Sequence, residues 1–221
     1  MFMHGWIARA ALLFVFSCLT GFNPAWASGR LNVEVEDPLP LLPNGQTLGV
    51  TRFGSADLDD MSDSARMRLD EAVGAGLGGF TLYVDWPALE PTAGNFQLES
   101  VLADLDAINE RGLKTFLNIT VGDIGELNLP SDLSPDVALD APVVLSRFGA
   151  LLDVLVPELA ERGVFLLGLG NEIDDRLDTA PESERAAYAT FVEQARARVA
   201  GLAADLPVAI TLTANAVRNQ G

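Results

Sequence analysis

The chain has 221 residues, 31 acidic against 14 basic, and a formal net charge of −17. Such a surface repels phosphate backbones and argues against nucleic acid as a partner. His4 and Cys18 are the only histidine and cysteine, and both lie near the N-terminus.

That N-terminus reads as a secretory signal. Arg9 supplies a weakly basic start, Ala10 to Leu19 is an apolar run, and Ala25-Trp26-Ala27 offers small residues at the two positions a signal peptidase reads. The run is about half of the ~20 residues needed to span a bilayer. Cleavage after Ala27 is expected, giving a secreted or periplasmic protein with no membrane association afterwards. It removes the one arginine of the segment and leaves 13 basic against 31 acidic residues, a net charge of −18. It also removes His4 and Cys18. A Ser-His-Asp triad, a cysteine nucleophile, a His- or Cys-ligated zinc and any disulfide are then excluded. Carboxylates, two tyrosines, Trp86, arginines and Lys114 remain for chemistry. No cofactor and no metal is expected.

Residues 28–45, with Pro38, Pro40 and Pro43, read as an extended leader. From Gln46 onward short apolar runs alternate with helical patterns, the signature of βα units on a parallel sheet. The first run is Thr47 to Phe53, followed by a helix from about Ser62 to Val73. Asp57, Asp59 and Asp60 between them lack the loop spacing of a calcium site. The clustered Gly74, Gly76, Gly78 and Gly79 read as a helix end and turn. The second run, Phe80 to Val84, ends in Asp85-Trp86, and its helix spans about Leu98 to Arg111 with Val101, Leu102, Leu105 and Ile108 on one face. Gly112 suits the left-handed residue that ends a helix.

The third run is Lys114 to Val121. Its helix, about Val143 to Arg162, carries Phe148, Leu151, Leu152, Leu155 and Leu159, with Pro157 expected to kink it and Gly163 to end it. The fourth run, Val164 to Leu169, is apolar on both faces, as a strand covered on both sides would be. Asp174, Asp175 and Asp178 then read as a solvated acidic loop. Thr179-Ala180-Pro181-Glu182 has the pattern of a capping box opening a helix that carries Tyr188, Phe191, Val192, Ala195, Val199 and Leu202. The fifth run is Pro207 to Thr213.

Five such units fit either an open doubly wound sheet or an incomplete (β/α)8 TIM-type barrel. The first run lacks a following Gly-x-Gly-x-x-Gly or P-loop. The chemistry-bearing residues sit just past strand ends, where barrel active sites are built. The barrel is therefore expected, over residues 46–221.

Two stretches carry a resemblance. Asp85-Trp86-Pro87-Ala88-Leu89-Glu90-Pro91-Thr92-Ala93-Gly94-Asn95-Phe96 is similar to the Trp-x-x-Leu-Glu-Pro-x-x-Gly-x-Phe/Tyr segment of clan A glycoside hydrolases, notably bacterial β-galactosidases active on galactan fragments. Gly168-Leu169-Gly170-Asn171-Glu172-Ile173 resembles the Gly-Asn-Glu-Ile of arabinogalactan endo-β-1,4-galactanases. The resemblance implies that Glu172 is the general acid/base and that Asn171 hydrogen-bonds the sugar 2-hydroxyl. Trp86 would offer a ring face for a sugar to stack on. Glu90-Pro91 reads as a loop-shaping pair.

The chemistry agrees on residue type. Retaining glycoside hydrolysis needs one carboxylic acid to protonate the leaving oxygen and a second carboxylate about 5 Å away to attack. Glu172 follows an apolar strand end, a setting that raises a carboxyl pKa. In the clan the nucleophile is a second glutamate ending the seventh strand, and a TIM barrel takes ~250 residues. The sequence accordingly reads as a truncated barrel, inactive alone, with open sheet edges that invite self-association. Two readings stay open: the front portion of a secreted glycoside hydrolase acting on β-linked glycans, and a non-catalytic, barrel-derived carbohydrate-binding protein. The export reading is checked by mass spectrometry of the exported protein: Ser28 is expected as its first residue, and a retained Met1 refutes cleavage.

Overall fold

The computed structural model describes residues 49–52, 70–71, 73–74, 77–123 and 126–213. The signal and leader, Asp57 to Asp60, and all but the last turn of the helix expected over 62–73 lie outside the described residues. Of that last turn, Asp70, Glu71, Val73 and Gly74 are helical.

One sheet organises the chain. Strands β1 (Gly49–Arg52), β2 (Gly79–Asp85), β3 (Lys114–Asp123), β5 (Leu166–Asn171) and β6 (Val208–Ala209) lie side by side in chain order and pair in parallel. A two-residue strand β4 (Glu126–Leu127) folds back antiparallel on the end of β3. After β2 the helices among the described residues are α1 (Trp86–Leu89), α2 (Glu99–Glu110), α3 (Pro142–Glu161), α4 (Asp174–Leu177) and α5 (Glu182–Leu202). A doubly wound sheet reverses its strand order at a switch point. Here the order never reverses, so the fold is part of a (β/α)8 barrel.

Alternation along each strand divides the sheet into two unlike faces. Phe80, Leu82 and Val84 of β2, Leu117, Ile119 and Val121 of β3, and Leu167 and Leu169 of β5 enter the main core. There they meet Val101, Leu105 and Ile108 of α2, seven buried residues of α3 from Val144 to Leu159, and Tyr188, Phe191, Val192, Ala195 and Val199 of α5. Each such aliphatic or aromatic side chain contributes roughly 1.5–3 kcal/mol on full burial. Phe148 knits the layer together, its ring 5.0 Å from Trp86 in an edge-on contact and 4.7 Å from Phe191. The other face is mixed: Phe116, Leu166 and Ala209 form a small cluster, beside Thr81, Asn118, Thr120 and Thr211, all buried.

The expected glycine stops hold. Gly112 and Gly163 have φ of +70° and +65°, and their amides close the last turns onto Asn109 and Ala160. Helix α3 is unbroken through Pro157, which lies on its exposed side. The fourth run is buried on both faces, as expected, with Leu167 and Leu169 toward the main core and Leu166 in the inner cluster. The capping box does not form: α5 starts at Glu182 with Pro181 as its cap and no side-chain cap bond. The preceding turn of α4 captures the Thr179 hydroxyl, which lies 3.5 Å from the Arg176 carbonyl, and Glu182 binds Arg185.

Gly168 is required by close approach. A Cβ there would lie 2.7–2.8 Å from the Phe116 ring and the Asn118 Cγ. Gly168→Ala is expected to lower stability by about 1–3 kcal/mol, the usual cost of overpacking. Urea denaturation measures it; an unchanged midpoint would show that the inner face yields freely.

Candidate active site

The C-terminal ends of β2, β3 and β5, and the segment after β6, converge on Asn171 and Glu172. Asn171 is the last residue of β5 and is 4% exposed. Its Nδ2 donates to Asp123 Oδ1, at the end of β3, at 2.8 Å. Its Oδ1 lies 3.2 Å from the Thr211 hydroxyl. That hydroxyl is also 2.8 Å from the Gly170 carbonyl and accepts from Asn118 Nδ2 at 3.2 Å. Asn118 Nδ2 reaches the same Gly170 carbonyl at 3.0 Å.

The backbone around Asn171 is unusual. Gly170 has φ +95° and Glu172 has φ +47°, so the residues on either side of Asn171 are both left-handed. Glycine tolerates this freely, but a glutamate there costs of order 1–3 kcal/mol and persists only where neighbours enforce it. Three contacts do so. The Tyr188 hydroxyl donates to the Leu169 carbonyl at 2.6 Å just before the turn. Ile173 is fully buried just after it. Asp174 then accepts from the Thr213 amide at 2.8 Å and the Thr213 hydroxyl at 2.5 Å.

Glu172 itself is half-buried. Burial raises its pKa, and the negative charges of Asp174, Asp123 and Asp175 raise it further. Tyr83, on the inner face of β2, is pushed up to about 12 by burial and by the charges of Glu172 and Asp123. The site is therefore an acidic cluster around a carboxyl biased toward its protonated form.

The structure corrects two sequence expectations here. Trp86 offers no ring face to a sugar. It is 0% exposed, packed edge-on against Phe148, with its indole N–H donated to Glu90 Oε2 at 3.0 Å. Asp174 is not part of a solvated loop, being 7% exposed and bonded to Thr213; Asp175 and Asp178 are exposed. Glu90 is a loop-shaping residue in fact. It is buried at 1% exposure, accepts from the Gly94 amide at 2.9 Å and pairs with Arg147 of α3 at 3.2 Å. Arg147 also binds Asp132 at 2.8 Å.

Sequence reasoning passed over Asp123, Asn118, Thr211 and Tyr83. An asparagine inside the apolar run Phe116-Leu117-Asn118-Ile119 was the readable signal, since a polar side chain there needs buried partners. Among the described residues no three His, Cys, Asp or Glu side chains converge as a metal-binding group.

No family model and no curated protein matches this sequence. Solved structures do match in three dimensions. An exo-β-1,4-mannosidase from an Opitutaceae bacterium superposes with a TM-score of 0.58 at 23% identity, over 79% of this chain and 34% of that one. A GH5_18 variant from Bifidobacterium longum, solved with Manβ1-4GlcNAc, gives 0.56 at 17% identity, over 71% and 41%. A family 39 glycoside hydrolase from Bacteroides cellulosilyticus gives 0.53 at 17%, over 74% and 31%. Likeness at this identity speaks for the fold, that of part of a (β/α)8 barrel. The chain spans 31–41% of the length of these three neighbours.

The raised Glu172 pKa has a consequence for stability. A group that binds its proton more tightly when folded adds stability below its unfolded pKa, and that stability is lost as pH rises through the folded value. Wild type is therefore expected to lose, as pH rises from the ordinary glutamate value of about 4 through the raised folded value, a share of its stability that Glu172→Gln does not lose. Thermal melts across that range check this; parallel profiles would refute it.

Proposed function

We propose that this chain is the front part of a secreted glycoside hydrolase that cleaves β-linked glycans with retention, Glu172 being its general acid/base. The observation that carries the reading is Glu172 itself: a half-buried carboxyl just past a barrel strand, held in a left-handed backbone, with its pKa raised by burial and by three neighbouring carboxylates. A general acid must keep its proton until the leaving oxygen takes it. The resemblance at Gly168 to Ile173 to galactanases, and the glycoside hydrolases among the structural neighbours, support the same reading.

In this mechanism Glu172 protonates the glycosidic oxygen while a second carboxylate, about 5 Å away, attacks the anomeric carbon. Glu172 then takes a proton from the water that releases the sugar. Asn171 would hold the 2-hydroxyl, using its second N–H or the remaining lone pair of Oδ1. The attacking carboxylate is assigned to the part of such a barrel that this chain does not span, so the chain alone should turn nothing over. The burial of Trp86 removes the stacking platform on which a purely carbohydrate-binding role would rely.

The test uses a complete barrel built on this chain. Glu172→Gln should lower hydrolysis of unactivated β-glycosides by roughly 10²–10⁴-fold, the usual worth of a positioned acid/base. Aryl glycosides with acidic leaving groups should suffer much less in their first step. Azide, which needs no base, should restore turnover and give a glycosyl azide of retained configuration. Wild-type rates in Glu172→Gln would reduce Glu172 to a rim carboxylate. Sugar binding without any hydrolysis by wild type would favour the carbohydrate-binding reading.

A further inference from the structure

Strand β3 breaks register where it meets the site. Ile119 stands beside Leu169, so unbroken pairing would set Val121 beside Asn171. The register shifts instead, and Asp123 stands there. Extra residues on one strand of a pair re-aim its side chains, and such irregularities gather next to active sites. This one replaces a valine that belongs to the main core with a carboxylate.

The replacement has a specific chemical result. An amide side chain can turn over and exchange its donor and acceptor ends, so something must choose between them. The Thr211 hydroxyl cannot, because its single proton is shared between Asn171 Oδ1 at 3.2 Å and the nearer Gly170 carbonyl at 2.8 Å. A hydroxyl can also donate or accept as required. A carboxylate only accepts. Asp123 Oδ1, 2.8 Å from Asn171, therefore demands the N–H end.

We propose that Asp123 is the positioning residue of this site, delivered by the register shift in β3 to fix the Asn171 amide with Nδ2 toward Asp123 and Oδ1 toward Thr211. That leaves one N–H and one lone pair of Asn171 in a set direction for a substrate hydroxyl. The proposal rests on the reading of Asn171 as a sugar contact for its purpose, and on the hydrogen bonds alone for its geometry. Glu172 also feels the charge of Asp123, together with those of Asp174 and Asp175, and Tyr83 lies within reach of both Glu172 and Asp123. Replacing Asp123 by asparagine removes the charge and the acceptor-only character together, so the two effects are read by separate measurements.

The experiment uses the full chain, isotope-labelled, with Asp123→Asn and Asp123→Leu. Hydrogen exchange of the Asn171 side-chain amide is read by NMR. Asp123→Leu, which accepts nothing, should speed it by roughly tenfold, the worth of one buried hydrogen bond. Asp123→Asn, whose amide can present either its carbonyl or its N–H, should give a rate between those of wild type and Asp123→Leu. The Glu172 carboxyl is titrated in parallel by carbon NMR, and in Asp123→Asn its midpoint should fall, a shift that a merely structural residue would not cause. Unchanged amide exchange in Asp123→Leu overturns the proposal, as does a wild-type rate in Asp123→Asn. If Asp123→Leu does not fold, Asp123→Asn decides alone, and unchanged exchange of the Asn171 amide in it overturns the proposal. Neither readout needs a sugar, so absence of hydrolysis would sink the proposed function while leaving this result standing.

Discussion

The pairing of β3 with β5 is the constraint on which the rest of the structure depends. For most of its length it is a regular parallel ladder, from Phe116 beside Leu166 to Ile119 beside Leu169. It brings the strands close enough that Gly168 has no room for a Cβ against Phe116 and Asn118. Past Ile119 the ladder slips, and the slip sets Asp123 beside Asn171. The same segment carries Gly122, where a Cβ would sit 2.5 Å from Ile173 Cδ1. A glycine there lets Ile173 seat on the strand, which in turn anchors the backbone just after Glu172. Packing and chemistry meet in one short stretch of ladder.

The two faces of the sheet divide the work between stability and function. The helix-facing side is aliphatic and needs no partners beyond shape. The inner side carries Asn118, Thr120 and Thr211, which are buried and must be hydrogen-bonded. Their bonds run across strands: Thr120 donates its one hydroxyl proton to the Asp85 carboxylate, with the Val84 carbonyl 3.3 Å away, Asn118 reaches Gly170 and Thr211, and Thr211 reaches Asn171. A network of this kind ties β2, β3, β5 and the segment after β6 into one rigid rim. It holds a glutamate in a left-handed conformation that the chain alone would avoid.

A second buried network closes the loop after β2. Glu90 gathers the Trp86 indole, the Gly94 amide and the Arg147 guanidinium, linking α1, the following turn and α3. Removing one member of a buried ion pair leaves the other uncompensated. The motif that resembles a carbohydrate-contacting segment is thus the brace of a barrel corner in this chain. The site is built from the ends of β2, β3 and β5 and the segment after β6 instead.

The sequence by itself determined the elements and singled out the end of the fourth run. Apolar stripes at helical spacing placed α2, α3 and α5 within a residue or two, because one helix face must be buried whatever its neighbours are. Gly112 and Gly163 marked helix ends, because a left-handed residue is cheapest as glycine. Glu172 past an apolar run was readable as a carboxyl of raised pKa, since burial acts locally. Only the tertiary structure decided what each side chain touches. Trp86 went to the core because Phe148 and Glu90, 62 and 4 residues away, close over it. The capping box at Thr179 failed because the turn of α4 took the hydroxyl first. Asp123 joined the site through a register shift, and Thr211 through the segment after β6, 40 residues further along the chain from Asn171. No local pattern encodes such contacts, because strand register is a property of the assembled sheet and not of either strand.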